Sequence, residues 1–267
     1  DVGPGLKPLD SYDDRNFYVP TTTQGIFLLK IHNGVESANV AVLEAQNAVM
    51  CHLKARGFDC PVPVASVGGN DIEFVKAAIG EGGAAPRRFA VRLLTWVEGR
   101  TLNSLTATRA RLLSAGAYLG RLRGALADFD HPGCHREHLW DINSTSGLTR
   151  FVSALDDAPD VQSIVRSVVQ SFDAIAPASL AQLPKSVLQA DFNDANIIFD
   201  AAGTRVSGVI DFGDTVYSNS INDLAIAMAY SMLQPPAGMT VVETAATVLE
   251  GYCRTAHVSA AEMALLR

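Results

Sequence analysis

The segment from residue 187 to residue 214 constrains the fold of this 267-residue chain more than any other part of it. Two short apolar runs, Asn196–Phe199 and Val206–Ile210, are separated by turn residues and predict a β-hairpin. Each run lies beside a carboxylate that a buried strand alone does not need: Asp191 precedes the first run, and Asp211 directly follows the second. The sequence therefore predicts a hairpin that presents an acidic side chain at each end.

The polar residues of this hairpin come in an order that suits phosphoryl transfer. Asp191 is followed five residues later by Asn196, and Asp211 begins the tetrad D-F-G-D, which ends at Asp214. Phosphoryl transfer needs one carboxylate to orient and deprotonate the attacking hydroxyl. It also needs a carboxamide and a second carboxylate to hold Mg²⁺ on the nucleotide phosphates. We therefore assign Asp191 as the catalytic base and Asn196 and Asp211 as magnesium ligands; a plain hairpin with polar turns is the alternative.

The same stretch resembles the catalytic and metal loops of the aminoglycoside phosphotransferase and choline kinase superfamily, whose members are relatives of the protein kinases. The superfamily pattern H-G-D-x-N-D-x-N appears here as Gln189–Asn196, with Gln189 in place of His and Ala190 in place of Gly. Asn193 stands where protein kinases usually carry Lys, which favours a small-molecule kinase. Within the superfamily the chain resembles the hydroxylysine kinase family, whose S-Y-D-D-x-N-F and H-R-E-x-x-W-D segments match residues 11–17 and 135–141.

The resemblance implies an α+β, two-lobed, protein-kinase-like fold. We expect a small antiparallel-sheet lobe that binds nucleotide over residues 1–97, and a mostly helical lobe with the catalytic and metal loops over residues 98–267. The family also has a strand before Pro8 and further chain beyond Arg267, so the sequence is expected to be truncated at both ends. The local patterns predict strands at Asn16–Val19, Ile26–Ile31, Pro61–Val67 and Arg88–Val97, and helices at Val35–Arg56, Thr106–Ala127 and Asp160–Ile175, the last followed by a break at Pro177.

Lys30 is the candidate nucleotide-binding lysine. It follows the apolar run 26–29, and lysine is rarely buried unless it is paired. As the lysine of the third kinase strand, it would bridge the α- and β-phosphates. Glu44, inside the predicted helix 35–56, is the expected partner that fixes its ammonium, and Glu36 is the rival partner.

Further nucleotide contacts are implied by the kinase layout. Ser11 and Asn16 lie in the loop where a kinase places its phosphate-covering segment, although the glycines of a protein-kinase loop are missing here. Backbone groups of Thr95 and Val97, at the end of the last strand of the small lobe, are expected to meet the purine edge.

Residues 131–141 contain three histidines, one cysteine and two acids, but their spacing fits no standard zinc pattern. From this segment Glu137 and Asp141 are candidate substrate contacts, together with Asp194 from the catalytic loop. The alternative is that the segment anchors a loop.

Composition narrows the class of protein. The net charge of −7 argues against a nucleic-acid-binding protein and suits a neutral or cationic small substrate. The four cysteines lie far apart without a C-x-x-C pair, which indicates reduced thiols in a cytoplasmic protein. No apolar run reaches membrane-spanning length, so no membrane partner is expected.

The activity implied by the resemblance is transfer of the γ-phosphate of GTP, or of ATP, to 5-hydroxy-L-lysine with Mg²⁺ as cofactor. One alternative is a kinase of another amino alcohol or of an aminoglycoside. The other is a pseudokinase that binds nucleotide or a partner without catalysis. Gln189, Ala190 and the expected truncation favour the pseudokinase, whereas the retained Lys30, Asp191, Asn196 and Asp211 argue against it. The oligomeric state is left open.

Overall fold

The computed structural model describes residues 1–77 and 86–266, which group into two compact units. The first unit comprises residues 1–98 with two short additions, residues 131–133 and 207–210. The second unit comprises residues 99–130, 134–206 and 211–267.

A five-stranded antiparallel sheet forms the first unit. Its strands are β1 (Lys7–Leu9), β2 (Arg15–Pro20), β3 (Ile26–Ile31), β4 (Glu73–Ala77) and β5 (Arg87–Thr95), in the spatial order β1-β2-β3-β5-β4. Lys30 on β3 lies opposite Asn16 on β2 and opposite Arg92 on β5. Because directly opposed residues share a face of a sheet, this register forms one polar row across three strands.

The helix of the first unit, α1 (Val40–Ala55), begins later than predicted. Residues 36–38 form a separate 3-10 turn, because Asn33 Oδ1 accepts hydrogen bonds from the backbone N–H groups of Val35 (2.8 Å) and Glu36 (3.0 Å). The helix buries apolar residues such as Leu43 and Leu53, and also two amides at residues 46 and 47. Buried polar groups need partners, and both amides accept hydrogen bonds from Arg92 on β5.

The strand predicted at Pro61–Val67 is wrong as a regular strand. Only Pro63 forms a bridge, with Leu94, and the backbone N–H of Val64 donates to Leu93 O at 2.8 Å. Proline lacks the N–H that a continuous ladder requires, so the prolines at 61 and 63 restrict this segment to isolated contacts.

The second unit is mostly helical. Its helices are α2 (Arg109–Leu126), α3 (Pro159–Leu180), α4 (Asn222–Leu233), α5 (Val241–Cys253) and α6 (Ala260–Met263). Its short strands are β6 (Arg100–Thr101), β7 (Lys185–Leu188), β8 (Ile197–Phe199), the first residue of β9 (Val206–Val209), and β10 (Val216–Asn219). Strand β7 pairs with β10 and β6 pairs with β8, each pair antiparallel.

Two glycines let α2 and α5 pack closely. A Cβ at Gly116 would lie 2.0 Å from Val248 O, and a Cβ at Gly251 would lie 2.3 Å from Leu113 O. Any side chain at either position would therefore push the two helices apart. The capping box formed by Thr240 and Glu243 fixes the start of α5.

The region before β7 differs from the prediction in two ways. Residues 142–155 form a 3-10 helix that no apolar period indicated. Helix α3 continues through Pro177 to Leu180 rather than ending before it. This proline forgoes one helical N–H hydrogen bond, and only three helical residues follow it. None of the helices in the part of the chain that the structure describes is long and apolar enough to cross a membrane.

Candidate active site

The loop between β7 and β8 holds Asp191 in a defined orientation. The Nδ2 atom of Asn193 donates to Asp191 Oδ1 at 2.7 Å, and the Nδ2 atom of Asn196 donates to Asp191 Oδ2 at 2.7 Å. The Oδ1 atom of Asn193 also accepts from the backbone N–H groups of Ala195 (2.8 Å) and Asn196 (3.2 Å). Both asparagines thus close the turn and grip the carboxylate, so D-x-N-x-x-N acts as one structural unit.

Gln189 connects the catalytic loop with the metal loop. Its side chain is fully buried; Nε2 donates to Asp211 O at 2.5 Å, and Oε1 accepts from the backbone N–H of Asp191 at 2.9 Å. A histidine has one donor and one acceptor nitrogen in its neutral form. Gln189 therefore makes the kind of donor and acceptor contacts that a histidine would make at this position.

Asp223, at the start of α4, accepts hydrogen bonds from the backbone of the same loop. Its carboxylate is buried and accepts the backbone N–H groups of Ala190 (2.8 Å) and Gln189 (3.3 Å). Burial raises the pKa of Asp223 to about 7, although these two hydrogen bonds act in the opposite direction. Ala190 has a φ of 67°, where the family's glycine costs nothing and alanine costs roughly 1–2 kcal/mol. Asp223 fixes this strained residue in place.

Burial and two neighbouring carboxylates change the pKa of Asp191. Burial raises the pKa of Asp191 most, the charges of Asp214 and Asp211 raise it further, and the hydrogen bonds from Asn193 and Asn196 lower it. The resulting pKa is about 6, well above the ordinary value of an aspartate. Such a shift, caused by desolvation and neighbouring charges, is typical of functional sites.

The predicted metal ligands offer a suitable donor set. The Nδ2 group of Asn196 is used by Asp191, which leaves its Oδ1 atom for a cation. Asp211 is exposed, has a φ of 55°, and receives the backbone N–H of Gly213 on Oδ1 at 3.1 Å. Carboxylate and carboxamide oxygens are the ligands that Mg²⁺ prefers. These residues therefore fit a hard divalent cation.

Two residues that the sequence reasoning missed hold the D-F-G-D loop. The guanidinium of Arg136 donates to Gly213 O (2.7 Å) and Thr215 O (3.1 Å), and His138 Nε2 lies 2.9 Å from Asp214 Oδ1. Their segment therefore anchors the metal loop, the alternative we kept for residues 131–141. A long arginine among histidines and acids was the only sequence signal for this role.

The candidate substrate residues occupy different environments. Asp141 Oδ1 accepts from the Ser218 hydroxyl at 2.8 Å and from Asn143 N at 3.1 Å, so this side chain has structural partners. Glu137 is exposed, and Asp194 is half-buried. Tyr230 on α4 was not predicted; burial raises the pKa of its hydroxyl, and the negative charges of Asp191, Asp194 and Asp214 raise it further.

In the first unit, Lys30 is 8% exposed and its Nζ atom lies 3.1 Å from Asp14 Oδ2. Glu44, the expected partner, lies on the exposed face of α1, and its pairing with Lys30 stays a prediction. The rival Glu36 is also engaged elsewhere, with Oε2 2.7 Å from His32 Nδ1. The structure thus gives Lys30 an acidic partner from the S-Y-D-D segment.

The other nucleotide candidates lie at the sheet. Ser11 is exposed in the loop before β2, and the Oδ1 atom of Asn16 is buried without a partner among the described residues. The backbone N–H of Thr95 donates to Val62 O at 2.9 Å, so this group already has a hydrogen-bond partner within the first unit. Val97 is buried, and the contact of its backbone with the purine stays a prediction.

A family model described as the phosphotransferase enzyme family (APH) matches residues 5–264. Because this match spans nearly the whole chain, the chain belongs to the phosphotransferase enzyme family, as the D-x-x-x-x-N and D-F-G-D loops predicted.

Particular relatives narrow the comparison. The hydroxylysine kinase of Danio rerio is 31% identical over 243 residues, which cover 88% of this chain and 67% of that protein. The homoserine kinase of Bradyrhizobium diazoefficiens is 27% identical over 259 residues, which cover 96% of this chain and 72% of that protein. The chain spans about two thirds of the length of the hydroxylysine kinases that it matches, with 65% for the Mus musculus protein.

A solved structure confirms the fold. Amicoumacin kinase hAmiN, in complex with AMP-PNP, Ca²⁺ and Ami, matches with a TM-score of 0.71 at 18% identity, and the match covers 98% of this chain and 75% of that one. The expected α+β, protein-kinase-like fold is therefore confirmed, and at this identity the likeness concerns the fold alone.

Proposed function

We propose that this protein is a small-molecule kinase that transfers the γ-phosphate of a nucleotide to a hydroxyl group of an amino-bearing substrate. Asp191 orients the acceptor hydroxyl and takes its proton. Asn196 and Asp211 hold Mg²⁺, which supplies positive charge to the nucleotide phosphates when bound. Lys30 contacts the α- and β-phosphates, in line with its assignment from the sequence.

One observation carries this proposal: the conformation of the catalytic loop. Asp191 is half-buried, has a pKa of about 6, and is gripped on both carboxylate oxygens by Asn193 and Asn196. A polar hairpin without chemistry needs neither a desolvated carboxylate nor a strained residue beside it, since both destabilise the fold. The buried bridge of Gln189 also argues against the pseudokinase alternative, because the substitution for histidine preserves the connection to Asp211.

For the acceptor we propose 5-hydroxy-L-lysine, with GTP as the donor and ATP as the alternative. The similarity to the Danio rerio hydroxylysine kinase supports this acceptor, and the acids near Tyr230 suit a substrate that carries an ammonium group. We propose a cytoplasmic location, which agrees with the four unpaired cysteines.

The runner-up is a kinase of another hydroxylated amine. The similarity to the Bradyrhizobium diazoefficiens homoserine kinase favours it, because that match extends over 96% of this chain. Homoserine also carries an ammonium and a hydroxyl, so the charge pattern of the site suits both acceptors.

A nucleotide-consumption assay tests the proposal. The protein is supplied with Mg²⁺ and with GTP or ATP in parallel, against 5-hydroxy-L-lysine, L-lysine, homoserine, choline, ethanolamine and an aminoglycoside. We expect hydroxylysine-dependent consumption with the highest kcat/KM, and none with L-lysine, which lacks the acceptor hydroxyl. Highest kcat/KM for homoserine would establish the runner-up, and nucleotide binding without consumption across the panel would establish the pseudokinase.

The buried amide of Gln189 gives a separate prediction. Gln189→His is expected to keep or modestly raise turnover, because imidazole can accept from Asp191 N and donate to Asp211 O. Gln189→Ala is expected to lower the free energy of unfolding by roughly 1–3 kcal/mol, because the backbone groups Asp191 N–H and Asp211 C=O lose the buried amide that pairs with them. Turnover and melting temperature are measured for both variants beside the parent.

The comparison between the two variants separates stability from chemistry. If the parent is inactive and Gln189→His is active, the protein is a pseudokinase as a result of this substitution. If Gln189→Ala melts like the parent, the bridge does not stabilise the loops.

A further inference from the structure

Lys30 lies in the polar row across the centre of the first unit's sheet. It is 8% exposed, and Arg92 opposite it is 3% exposed. Buried cations must be paired and hydrogen-bonded, because removing them from water is costly. The position of Lys30 therefore depends on the groups that surround it on this face.

Asp14, in the loop just before β2, forms an ion pair with Lys30. Its Oδ2 atom lies 3.1 Å from Lys30 Nζ and 3.2 Å from His32 Nδ1. Its Oδ1 atom accepts from the backbone N–H of Asn33 at 2.8 Å and from Asn33 Nδ2 at 3.1 Å. Burial by itself raises the pKa of Asp14, but the donors His32, Lys30 and Asn33 together hold it far below its usual range. Asp14 is thus a fixed, charged carboxylate.

A buried network supports Asp14 from behind. Arg92 Nε donates to His32 Nε2 at 2.9 Å, so Nε2 is the acceptor and Nδ1 carries the hydrogen that faces the carboxylates. The Arg92 guanidinium also donates to Asn47 Oδ1 (2.8 Å) and Gln46 Oε1 (2.6 Å) on α1. The contacts therefore run from the helix through Arg92 and His32 to Asp14 and Lys30.

The same hydrogen-bond pattern argues against a metal ion at the cluster of Asp14, His32 and Glu36, whose ligand atoms lie within 4.8 Å of one another. A metal would need the lone pair of Nδ1, and the ring would then have to present a hydrogen on Nε2 towards the Arg92 N–H group.

We propose that Asp14 is the positioning residue for Lys30, in the role that the sequence suggested for Glu44. This inference rests on the proposed nucleotide site. Asp14 holds the ammonium at one point of the sheet face, so that the charge is already in place when phosphates arrive. The S-Y-D-D segment therefore contributes to nucleotide binding through its second aspartate.

Asp14→Asn is the direct test. It keeps the shape of the side chain and an acceptor for Asn33 but removes the negative charge beside Lys30. We expect the Kd for Mg²⁺ with a non-hydrolysable GTP or ATP analogue, measured by calorimetry, to rise about 10-fold or more, as is typical for a supporting residue behind a ligand. In turnover assays the KM for nucleotide should rise while the KM for the acceptor stays within about twofold. Asp14→Glu should recover part of the loss.

Two comparisons make the result specific. Asp13→Asn removes an exposed charge from the same loop and is the matched control, with unchanged nucleotide affinity expected. Lys30→Met provides a double-mutant cycle: if Asp14 acts through Lys30, adding Asp14→Asn to Lys30→Met causes no further loss of affinity. A purely structural role would instead weaken binding equally in both backgrounds and would lower the melting temperature in proportion.

The outcomes distinguish this inference from the proposed function. A parent protein that binds no nucleotide overturns both. A parent that binds and turns over, with Asp14→Asn unchanged and Glu44→Gln weakened, overturns the inference alone and restores the helix residue as the partner of Lys30.

Discussion

Asp191→Asn is expected to lower kcat by about 10²–10⁴-fold, the usual contribution of a general base. The amide keeps the size of the side chain but cannot take a proton from the acceptor hydroxyl. Nucleotide binding should stay near normal, because the proposed metal ligands Asn196 and Asp211 are unchanged. Turnover at saturating nucleotide and acceptor, with nucleotide affinity measured by calorimetry, checks both parts.

The local hydrogen bonds require a control for stability. In the parent, Asp191 accepts from Asn193 on one oxygen and from Asn196 on the other, so the new amide group must face one of these donors. Asp200→Asn, in the turn of the same hairpin, disturbs the acceptor for Thr204 N without touching Asp191. It should lower the melting temperature with little change in turnover of the folded protein. Near-parental rates for Asp191→Asn with any accepted substrate would refute the assignment of the base.

The catalytic hairpin was predictable because its determinants are local. Asp191, Asn193 and Asn196 lie within six residues and bond mainly to one another, so turn chemistry and spacing are enough to define the loop. The contact of Gln189 with nearby backbone was also predictable, since a buried amide needs both a donor and an acceptor partner.

The partner of Lys30 was not predictable in this way. Asp14, Glu36 and Glu44 are all near enough along the chain to be candidates, and the choice depends on strand register and helix phase. Arg92 binds the amides of residues 46 and 47, which turns that face of α1 towards the sheet. Glu44 lies two residues before Gln46, about 200° around the helix, and therefore points away from the sheet.

The anchoring role of Arg136 was likewise beyond the sequence. Its acceptors, the carbonyls of Gly213 and Thr215, are more than 70 residues away, and carbonyl groups leave no trace in residue identity. A histidine-rich segment such as residues 131–141 suggests a metal site. Only the hydrogen-bond distances show that it holds the D-F-G-D loop.

Removal of Asp211 is expected to weaken Mg²⁺-dependent nucleotide binding more than removal of Asn196. Asp211→Ala should weaken Mg²⁺-dependent nucleotide binding by at least about 10–100-fold, a loss already typical for residues that merely support a ligand. Asn196→Ala should weaken it less, because a carboxamide supplies an oxygen but no charge to the cation. Titration of Mg²⁺ against a fluorescent nucleotide gives the order. Asn196→Ala should in turn lower kcat, because it removes a donor to Asp191 Oδ2.

Backbone conformation dictates the matched variant for this comparison. Asp211 has a φ of 55°, which asparagine tolerates better than alanine, so Asp211→Asn removes the charge with little added strain. We expect Asp211→Asn to melt near the parent and still lose most Mg²⁺-dependent binding. Loss of binding only in Asp211→Ala would point to strain in the loop rather than to the metal. Equal, Mg²⁺-independent binding in all three variants would remove the metal site from the mechanism, because the phosphates would then be held without the cation.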